Sequence, residues 1–385
     1  MDQFAACHDE EALERHRMFA ATVREFVEAE VRDRAQSLDE SETYPEDLYR
    51  TMAQLGLFGI TVPAEMGGVG ADTVSYAIVM EELSRGYASV ADQCGLVELV
   101  SSLLAAHGTP EQRKRYLEPL VRFERKCAYA ITEPEAGSDV GGIQTRAVRT
   151  ANGWRLDGGK IWIHNAPVAD FAMVLARTDP AAGKRGMSIF IVDADRPGYI
   201  IGPKEHKMGQ RASQVGALTF DGIELPADAL LGEEGKGFHM MMSVLDKGRI
   251  GIAGLAVGLL QAALEASVDY ARTRQQFGKP IGEFQGVQWM IADMAKALHA
   301  GRLMVRDAAA RLDAGQRATM HCSMAKCFAA DAAVEHVANA VQIHGGIGFI
   351  RGIEVERLYR DAKIAQIYEG TNQIQRMIIA RNLMQ

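Results

Sequence analysis

The feature that most restricts the fold is a series of three long helical stretches near the C-terminus. They cover residues 238–275, 283–314 and 318–343. The packing faces of the first stretch carry small residues, namely Gly251, Ala253, Gly254, Ala256, Gly258, Ala262 and Ala263. Small side chains allow helix backbones to approach closely. Long antiparallel helices of this kind favour a four-helix bundle.

Two further zones precede the bundle, and a length of 385 residues is compatible with two or three domains. The first zone is predicted to be helical, because Phe19, Val23, Phe26 and Val27 recur at helical spacing. In the second zone glycine, proline and aspartate divide short apolar runs, which is typical of strands. We therefore predict an α+β multidomain chain. It has an N-terminal α-helical domain (residues 1–126), a middle β-barrel or β-sandwich domain (127–236) and a C-terminal four-helix bundle (237–385).

Local signals refine this division. Pro45 suits the first turn of a helix that stops near Gly56. Residues 109–112, with the sequence TPEQ, form a capping box that opens another helix. In the middle zone, residues 172–176 and 187–192 are predicted to be strands. Residues 154–162 are predicted to form a hairpin, with its tight turn at residues 157–159.

Charge and composition exclude several classes of function. The formal charge of −8, from 50 acidic and 42 basic side chains, disfavours nucleic acid and anionic membranes as partners. The longest apolar run, residues 250–260, is too short to span a bilayer. Residues 1–11 are acidic and lack an apolar signal core. We therefore expect a cytoplasmic protein, or a mitochondrial matrix protein if the source is eukaryotic and this is the mature form.

Cysteine and histidine indicate no metal site and no disulfide framework. The cysteines are odd in number and scattered, at positions Cys7, Cys94, Cys127, Cys322 and Cys327. We interpret them as small buried or surface residues in a reducing compartment. None of the ten histidines stands in a ligand spacing such as H-E-x-x-H. Residues 345–348, GGIG, match a dinucleotide fingerprint poorly, because no strand is predicted before them.

Two segments could carry chemistry. In residues 127–141 an apolar strand leads into a loop of small and hydroxyl-bearing residues, which could approach a planar ring and a phosphate. An ordinary strand exit is the alternative. The second segment places a lone carboxylate, Glu369, in a short apolar stretch. There its pKa would be raised and it could serve as a base, whereas a solvent-facing glutamate before a turn is the alternative.

These segments resemble signatures of the acyl-CoA dehydrogenase family, and the resemblance covers nearly the whole chain. AITEPEAGSDVGG (residues 130–142) is similar to the first signature. QIHGGIGF (342–349), followed by Arg357, Asp361 and IYEGTNQIQ (367–375), is similar to the second. RQQFG (274–278), and LFGITVP (57–63) with Gly67 and Gly68, are similar to two further family segments. The resemblance implies helices, a middle β-domain and a four-helix bundle, usually in a homotetramer with one FAD per subunit.

The resemblance also assigns residues to roles. Glu369 matches the catalytic base, and Arg249 matches a catalytic-site arginine that helps hold its geometry. Residues matching the acyl-CoA contacts are Ser138, Asp246, Arg249 and Gly370. Residues matching the wall around the flavin are Tyr129, Ile131, Thr132, Gly137, Ser138, Trp162, Ile163 and His164. Residues matching other FAD contacts, some of them supplied across a subunit interface, are Arg274, Gln276, Phe277, Phe284, Gln285, Gln342, Gly345, Gly346, Thr371 and Gln373.

The implied reaction is α,β-dehydrogenation of an acyl-CoA. Glu369 would take the α-proton while a hydride passes to the flavin, giving a trans-2-enoyl-CoA. Most relatives pass the electrons on to electron-transferring flavoprotein. An acyl-CoA oxidase that uses oxygen, or a flavin-binding relative without dehydrogenation, are the alternatives. The acyl group is expected to be short, medium or branched.

Four departures from the family pattern bear on this assignment. Some relatives carry the base just before the matching arginine, where this chain has Gly248, so that alternative base is absent. His164 stands where most relatives have a hydroxyl residue near flavin N5. Its side chain could donate a hydrogen bond or shift the flavin potential. Alternatively it is a tolerated replacement, and the backbone makes the contact to the flavin. Ala88 replaces the arginine of glutaryl-type relatives, which disfavours a dicarboxylyl-CoA substrate. Ile347 indicates a local loop change.

Overall fold

The computed structural model describes residues 10–384, and they begin with a layer of helices. Their bounds are α1 Glu10–Phe26, α2 Ala35–Ser41, α3 Glu46–Gln54, α4 Thr73–Gly86, α5 Ala88–His107, α6 Pro110–Gln112 and α7 Glu118–Val121. Single π-helical turns continue α1 to Val31 and join α6 to α7. The capping box is confirmed, because Thr109 Oγ1 accepts from Gln112 N–H at 3.2 Å and Gln112 Oε1 accepts from Thr109 N–H at 3.0 Å.

A mixed sheet follows the first helices. Its strands are β1 Cys127–Ala130, β2 Arg146–Thr150, β3 Gly153–His164, β4 Phe171–Arg177, β5 Met187–Asp193, β6 Tyr199–Lys204, β7 Val215–Pro226 and β8 Leu230–Leu231. The strand order is β6-β7-β3-β2-β4-β5-β8, with β1 parallel to β4. The two strands predicted at residues 172–176 and 187–192 are confirmed as β4 and β5, which pair antiparallel.

The hairpin predicted within residues 154–162 is wrong, because these residues form one continuous strand, β3. The signal at residues 157–159 marks an irregularity in the pairing of β3 with β7 rather than a turn. Gly158 is required there, since a Cβ would lie 2.6 Å from Thr145 Cα. The real hairpin joins β2 to β3, and Thr150 pairs with Gly153 across its turn.

The C-terminal part is helical, as predicted. Its elements are α8 Gly237–Thr273, a small hairpin of β9 Gln275–Gln276 and β10 Lys279–Pro280, α9 Gln285–Asp313, α10 Thr319–His344, α11 Glu354–Ala362 and α12 Asn372–Leu383. Four of these helices, α8, α9, α10 and α12, pack together, which confirms the predicted bundle. The GGIG run follows helix α10 rather than a strand, so it does not have the context of a dinucleotide fingerprint.

Small residues bring α8 against α4 of the first helical layer. A Cβ at Gly251 would lie 2.1 Å from the Tyr76 hydroxyl oxygen. At Gly254 it would lie 2.8 Å from Ala77 O, and at Gly258 it would lie 2.0 Å from Ser84 Oγ. The small face predicted on this helix is therefore the surface through which the bundle and the N-terminal helices share a core.

Two helices, α5 and α8, are long and apolar enough to cross a membrane by length and composition alone. Their most apolar stretches are 83% and 78% buried inside the structure. The run at residues 250–260, which we expected to be too short, is therefore part of a longer apolar helix. That helix is buried by its own chain.

The cysteines and acidic side chains form no metal cluster within residues 10–384. Cys94, Cys127, Cys322 and Cys327 are buried free thiols, and burial raises the pKa of each. Cys7 lies outside the described residues. The four described thiols therefore have the character of small core residues rather than of nucleophiles.

Candidate active site

Glu369 lies in the turn before α12, directly above α8. A Cβ at Gly248 would be 2.7 Å from Glu369 Oε2 and 3.2 Å from Leu99 Cδ1, so the glycine makes room for the carboxylate. Glu369 has φ of 55°, a left-handed conformation that is uncommon for a residue with a side chain. Its Oε2 is buried and has no hydrogen-bond partner among the described residues. An unsatisfied buried carboxylate oxygen is suited to receive a proton from a ligand.

The environment of Glu369 suits a base that works near neutral pH. Burial raises the pKa of Glu369 to about 7, and the positive charges of Arg249 and Lys326 oppose this rise. Asp92 contributes a smaller upward shift. The raised pKa expected from the sequence is therefore confirmed, with desolvation as its main cause.

Side chains around Glu369 hold the predicted substrate segment in place. Arg249 Nη1 donates to Asp246 Oδ1 at 2.6 Å, and Thr319 Oγ1 donates to Asp246 Oδ2 at 2.6 Å. Lys247 Nζ donates to Ser102 Oγ at 3.1 Å and lies 3.9 Å from Glu98 Oε1. The N-terminal half of α8 is thereby tied to α5 and α10 on both sides of Gly248.

The sheet contributes a second wall through β1 and the end of β3. The Tyr129 hydroxyl donates to the Met241 carbonyl at 3.5 Å, which places this wall beside the N-terminal end of α8. Trp162 has φ of 54° and its side chain is 63% exposed, whereas Ile163 is buried. Thr132 is half-buried and Ser138 is exposed in the loop that follows β1.

A buried ion pair supports that loop. Lys160 Nζ donates to Glu133 Oε1 and to the Ile131 carbonyl, each at 2.8 Å. Glu133 also accepts backbone N–H bonds from Gln144 and Thr145. Burial lowers the pKa of Lys160 to about 8, while the charge of Glu133 opposes the shift. Glu133 of the first signature is therefore a structural anchor, because it accepts from the buried Lys160 and from two backbone N–H groups of the same loop.

His164 is paired with an aspartate from α5. Its Nδ1 lies 3.3 Å from Asp92 Oδ2, and Ser213 Oγ donates to the same oxygen at 3.0 Å. Burial lowers the pKa of His164, and Asp92 opposes that shift. The remaining ring nitrogen, Nε2, is buried without a partner among the described residues. A proton on Nδ1 facing Asp92 would leave Nε2 as a hydrogen-bond acceptor toward a ligand.

The other predicted cofactor residues lie at the opposite end of α8, a helix of 37 residues and therefore about 55 Å long. Arg274 caps the C-terminus of α8, and the β9–β10 hairpin that follows carries Gln276 and Phe277. The His344 ring stacks on Tyr270 with centroids 4.3 Å apart, which brings the end of α10 to this place. The exposed or half-buried residues of this distal group are Arg274, Gln276, Phe277, Phe284, Gln285, Gln342, Gly345 and Gly346. One chain therefore does not bring the two groups of predicted residues together.

Two predicted contacts follow Glu369 directly. Thr371 Oγ1 accepts from Ile374 N–H at 3.3 Å and caps α12, while Gln373 is exposed on the first turn. Gly370 has φ of 89°, in the left-handed region that favours glycine. Glu369 is therefore held between a left-handed turn and the start of α12.

Comparison with known proteins agrees with this arrangement along the whole chain. The models of the acyl-CoA dehydrogenase N-terminal, middle and C-terminal domains match residues 13–124, 128–223 and 235–384. The chain belongs to the acyl-CoA dehydrogenase family. It is accordingly an oxidoreductase that acts on acyl-CoA, and FAD is the family cofactor.

Three similar proteins illustrate the range of the family. The caffeyl-CoA reductase-Etf complex subunit CarC of Acetobacterium woodii is 42% identical, over 96% of this chain and 98% of its own. The 3-(aryl)acrylate reductase of Clostridium sporogenes is 40% identical, over 96% and 99%. The structure of butyryl-CoA dehydrogenase from Megasphaera elsdenii superimposes with a TM-score of 0.93 at 38% identity, covering 96% and 98%.

The acyl-CoA dehydrogenase site has the features that FAD needs. His164 Nε2 is a buried polar atom without a partner in the described part of the chain, and the exposed Trp162, two residues earlier in the sequence, offers an aromatic face. A Cβ at Gly137, Gly345 or Gly346 would meet no atom of the described residues within 4 Å, so the backbone at these glycines is open to a ligand. A planar ring and a phosphate-bearing tail could use these two kinds of surface.

Sequence reasoning missed three side chains that shape the site, namely Asp92, Lys160 and Lys326. Asp92 had no readable signal, because its partner His164 lies 72 residues away in the chain. Lys326 had a readable signal, because it interrupts the small apolar face of α10 formed by Cys322, Ala325, Ala329 and Ala330. A lysine in the middle of such a face requires a buried partner.

Proposed function

We propose that this protein converts an acyl-CoA thioester to its trans-2-enoyl-CoA, with Glu369 as the base that removes the α-proton. The observation that carries the proposal is the Glu369 carboxylate above Gly248, whose Oε2 has no partner within residues 10–384; burial raises its pKa to about 7. A base with such a pKa is ionised in part of the population at neutral pH and holds a proton stably after transfer. Bound FAD would supply the hydride acceptor.

The other residues assist through charge and position. Arg249 lies close enough to Glu369 to stabilise its carboxylate form, and it is itself held by Asp246. Tyr129, Trp162 and His164 supply a wall that would orient the flavin ring and exclude water from it. Ser138, Asp246 and Gly370 would line the path of the thioester.

The test of the proposal is Glu369→Gln, which keeps the size of the side chain and removes its basicity. We expect FAD to be retained while the anaerobic rate of flavin reduction by acyl-CoA falls about 10²-fold or more. The matched control is Glu46→Gln on the exposed surface of α3. Reduction by the Glu369 variant at the rate of the control would remove Glu369 from the role of base.

The electron acceptor is proposed to be electron-transferring flavoprotein, because one relative is named as a subunit of a reductase-Etf complex. An oxidase would instead release peroxide in air, and comparing peroxide yield with turnover on an artificial acceptor separates the two. A binding relative without dehydrogenation would show no bleaching of its flavin by any acyl-CoA under anaerobic conditions. The presence of Glu369 argues against this last candidate.

Reduction of an enoyl-CoA is a second candidate for the physiological direction. Two relatives are named as reductases of caffeyl-CoA and of 3-(aryl)acrylates. Glu369 would then deliver its proton to the α-carbon, because the same base serves both directions of one equilibrium. Mixing photoreduced protein anaerobically with an arylacrylyl-CoA and with crotonyl-CoA tests this candidate. Rapid flavin reoxidation by the aryl thioester alone would favour it.

A homotetramer is proposed as the active assembly. The distal group of predicted cofactor residues is separated from Glu369 by most of the length of α8. Apolar side chains are exposed near this distal end, including Phe277, Phe349 and Ile350. A second copy that covers this surface would bring its distal group to a flavin held by the first.

A further inference from the structure

Lys326 is a buried lysine that the proposed chemistry does not use. It lies on α10 with no exposed surface. Its Nζ donates to the Gly370 carbonyl at 2.9 Å and to Asn372 Oδ1 at 3.0 Å. Both acceptors are neutral, and within the described chain no carboxylate oxygen forms an ion pair with this ammonium. Burial lowers the pKa of Lys326 to about 8, with the charge of Glu369 as the largest opposing influence.

The backbone that Lys326 holds is strained. Glu369 and Gly370 are consecutive left-handed residues, with φ of 55° and 89°. A non-glycine residue in this region is strained and persists only where its surroundings fix it. Gln375 Nε2 supplies the second restraint, because it donates to the carbonyls of Glu369 at 3.1 Å and Gly370 at 2.9 Å. The Gly370 carbonyl therefore receives two side-chain donors from two different helices.

Asn372 also connects the turn that holds Glu369 to α10. Its Nδ2 donates to the Cys327 carbonyl at 3.2 Å and to Asp331 Oδ1 at 2.7 Å. Its Oδ1 faces Lys326. The Asn372 amide is therefore oriented by the two hydrogen bonds that its Nδ2 donates, and these keep its Oδ1 directed toward Lys326 Nζ. The turn holding Glu369 is fixed relative to α10 rather than only to its own helix, α12.

The two neutral hydrogen-bond acceptors alone do not explain why this buried position carries the charged side chain of Lys326. Two neutral acceptors could be satisfied by a neutral amide donor, whereas an ammonium without a carboxylate partner carries a large desolvation penalty. The positive charge has one consequence that an amide lacks, which is attraction to the Glu369 carboxylate. Coulomb interactions in a buried site are stronger than at the surface, so a cation bound to the carbonyl of the next residue, Gly370, affects ionisation of Glu369.

We propose that Lys326 is a positioning residue for the base: it clamps the Glu369–Asn372 turn through its Nζ, and its charge stabilises the carboxylate form of Glu369. This inference rests on the proposed role of Glu369. The groups that face Glu369 from the surrounding elements are Tyr76 on α4, Asp92 on α5, Tyr129 on β1, Arg249 on α8, Lys326 on α10 and Tyr368 beside it. Arg249 and Lys326 are the cations of this set, so loss of Lys326 leaves Arg249 to offset burial.

The experiment compares Lys326→Met with Gln375→Met in the FAD-loaded protein. The first change removes a donor and a charge, and the second removes a neutral donor that shares the Gly370 carbonyl with Lys326. For each variant the rate of anaerobic flavin reduction by acyl-CoA is measured from pH 6 to pH 9. We expect both variants to be slower. The pH of half-maximal rate should rise by about one unit for Lys326→Met alone, which is a tenfold loss of ionised base below the midpoint.

Two further measurements separate positioning from simple damage to the fold. Lys326→Arg keeps the charge and should retain the wild-type midpoint. Infrared difference spectra between each protein and its Glu369→Gln partner titrate the carboxyl group directly, without turnover, and should show the same upward shift in Lys326→Met. Lys326→Gln, which keeps an amide donor, provides the same comparison if the Met variant yields no folded protein.

The possible results separate an electrostatic role of Lys326 from a purely geometric one, and both from failure of the proposed function. An unchanged midpoint in Lys326→Met or Lys326→Gln overturns the electrostatic role, whatever happens to the rate. An equal midpoint shift in Gln375→Met shows that geometry rather than charge is responsible, and also overturns it. If Glu369→Gln itself remains active, the proposed function has failed. If Glu369→Gln is inactive and the lysine variants titrate normally, only this inference has failed.

Discussion

The two ends of α8 differ in how far their surroundings are buried by the chain itself. At the N-terminal end, Met240, Met241 and Gly248 are buried between the first helical layer and the sheet. At the C-terminal end the chain turns through a hairpin whose tip, Phe277, is 93% exposed. Phe349, which follows α10 toward the same end, is 81% exposed. The difference teaches that one chain buries the surroundings of Glu369 by itself, whereas the far end of α8 leaves apolar side chains exposed, which is the surface that the proposed assembly would cover.

The largest effect in this comparison is expected from Gly248→Ala. The new methyl group would lie 2.7 Å from Glu369 Oε2, so the carboxylate must move. A displacement of about 1 Å at a reacting group can reduce the rate about 10²-fold, and we expect a loss of that order in flavin reduction. The melting temperature should change little, because the atom that must move is at the end of a side chain.

The control for this variant is Gly301→Ala on α9, where the nearest atom to a new Cβ is 3.4 Å away. This ordinary contact is remote from Glu369 in sequence and should leave flavin reduction within about twofold of wild type, with slightly higher stability from helix propensity. Similar losses in both variants would show that the bundle as a whole, rather than the space above Gly248, limits activity.

A smaller effect is expected at the distal end from Phe349→Ser. If a second copy covers this side chain, the change removes about 1.5–3 kcal/mol of apolar burial, equivalent to about a tenfold or greater rise in the dissociation constant of the assembly. Sedimentation velocity over a dilution series measures this shift. Met18→Ser removes a side chain that is 60% exposed on α1 and should leave assembly unchanged. Identical dissociation of both variants would mean that the distal end is not an interface.

The smallest effect is the dependence of flavin reduction on pH. We expect it to arise from Glu369, beside the N-terminal half of α8, and not from the distal end. Burial raises the pKa of Glu369 to about 7, and only its deprotonated form can accept a proton. The rate of flavin reduction should therefore rise with pH and be about fivefold lower at pH 6 than at pH 7. Assembly measured over the same range should stay constant. A rate that falls with rising pH through 7 would assign the limiting proton to a group other than the base.

Much of this fold could be predicted from periodicity and capping. The long helices, the small face of α8 and the capping box at Thr109 depend on neighbours along the chain, and the structure confirms them. The hairpin at residues 157–159 was mispredicted because Asp-Gly-Gly has the same local chemistry in a turn and in an irregular strand. Only the approach of Thr145 to Gly158 decides between them.

The site was predictable only in part, for the same reason. The short apolar stretch around Glu369 left a solvent-facing glutamate as an alternative, and the resemblance to the family matched Glu369 to the base; burial is the cause of its raised pKa. Asp92 and Lys326 act through contacts with His164 and Gly370, which lie far from them in the chain. Such pairs leave no periodic pattern in the sequence, since one side chain can find its partner on any element that packs nearby.

The glycines of α8 that meet α4 have a genetic consequence. Gly251, Gly254 and Gly258 each face an atom closer than any Cβ could tolerate. Glycine has the smallest side chain, so every missense change in these three codons adds volume and none can be compensated by shrinking the same residue. Gradual change at these three positions is therefore blocked by the fold, whereas the exposed side chains of Phe277 and Phe349 are not needed for folding of the single chain. Random mutagenesis scored for folding alone should recover these three positions as nearly invariant and leave the distal tip substituted.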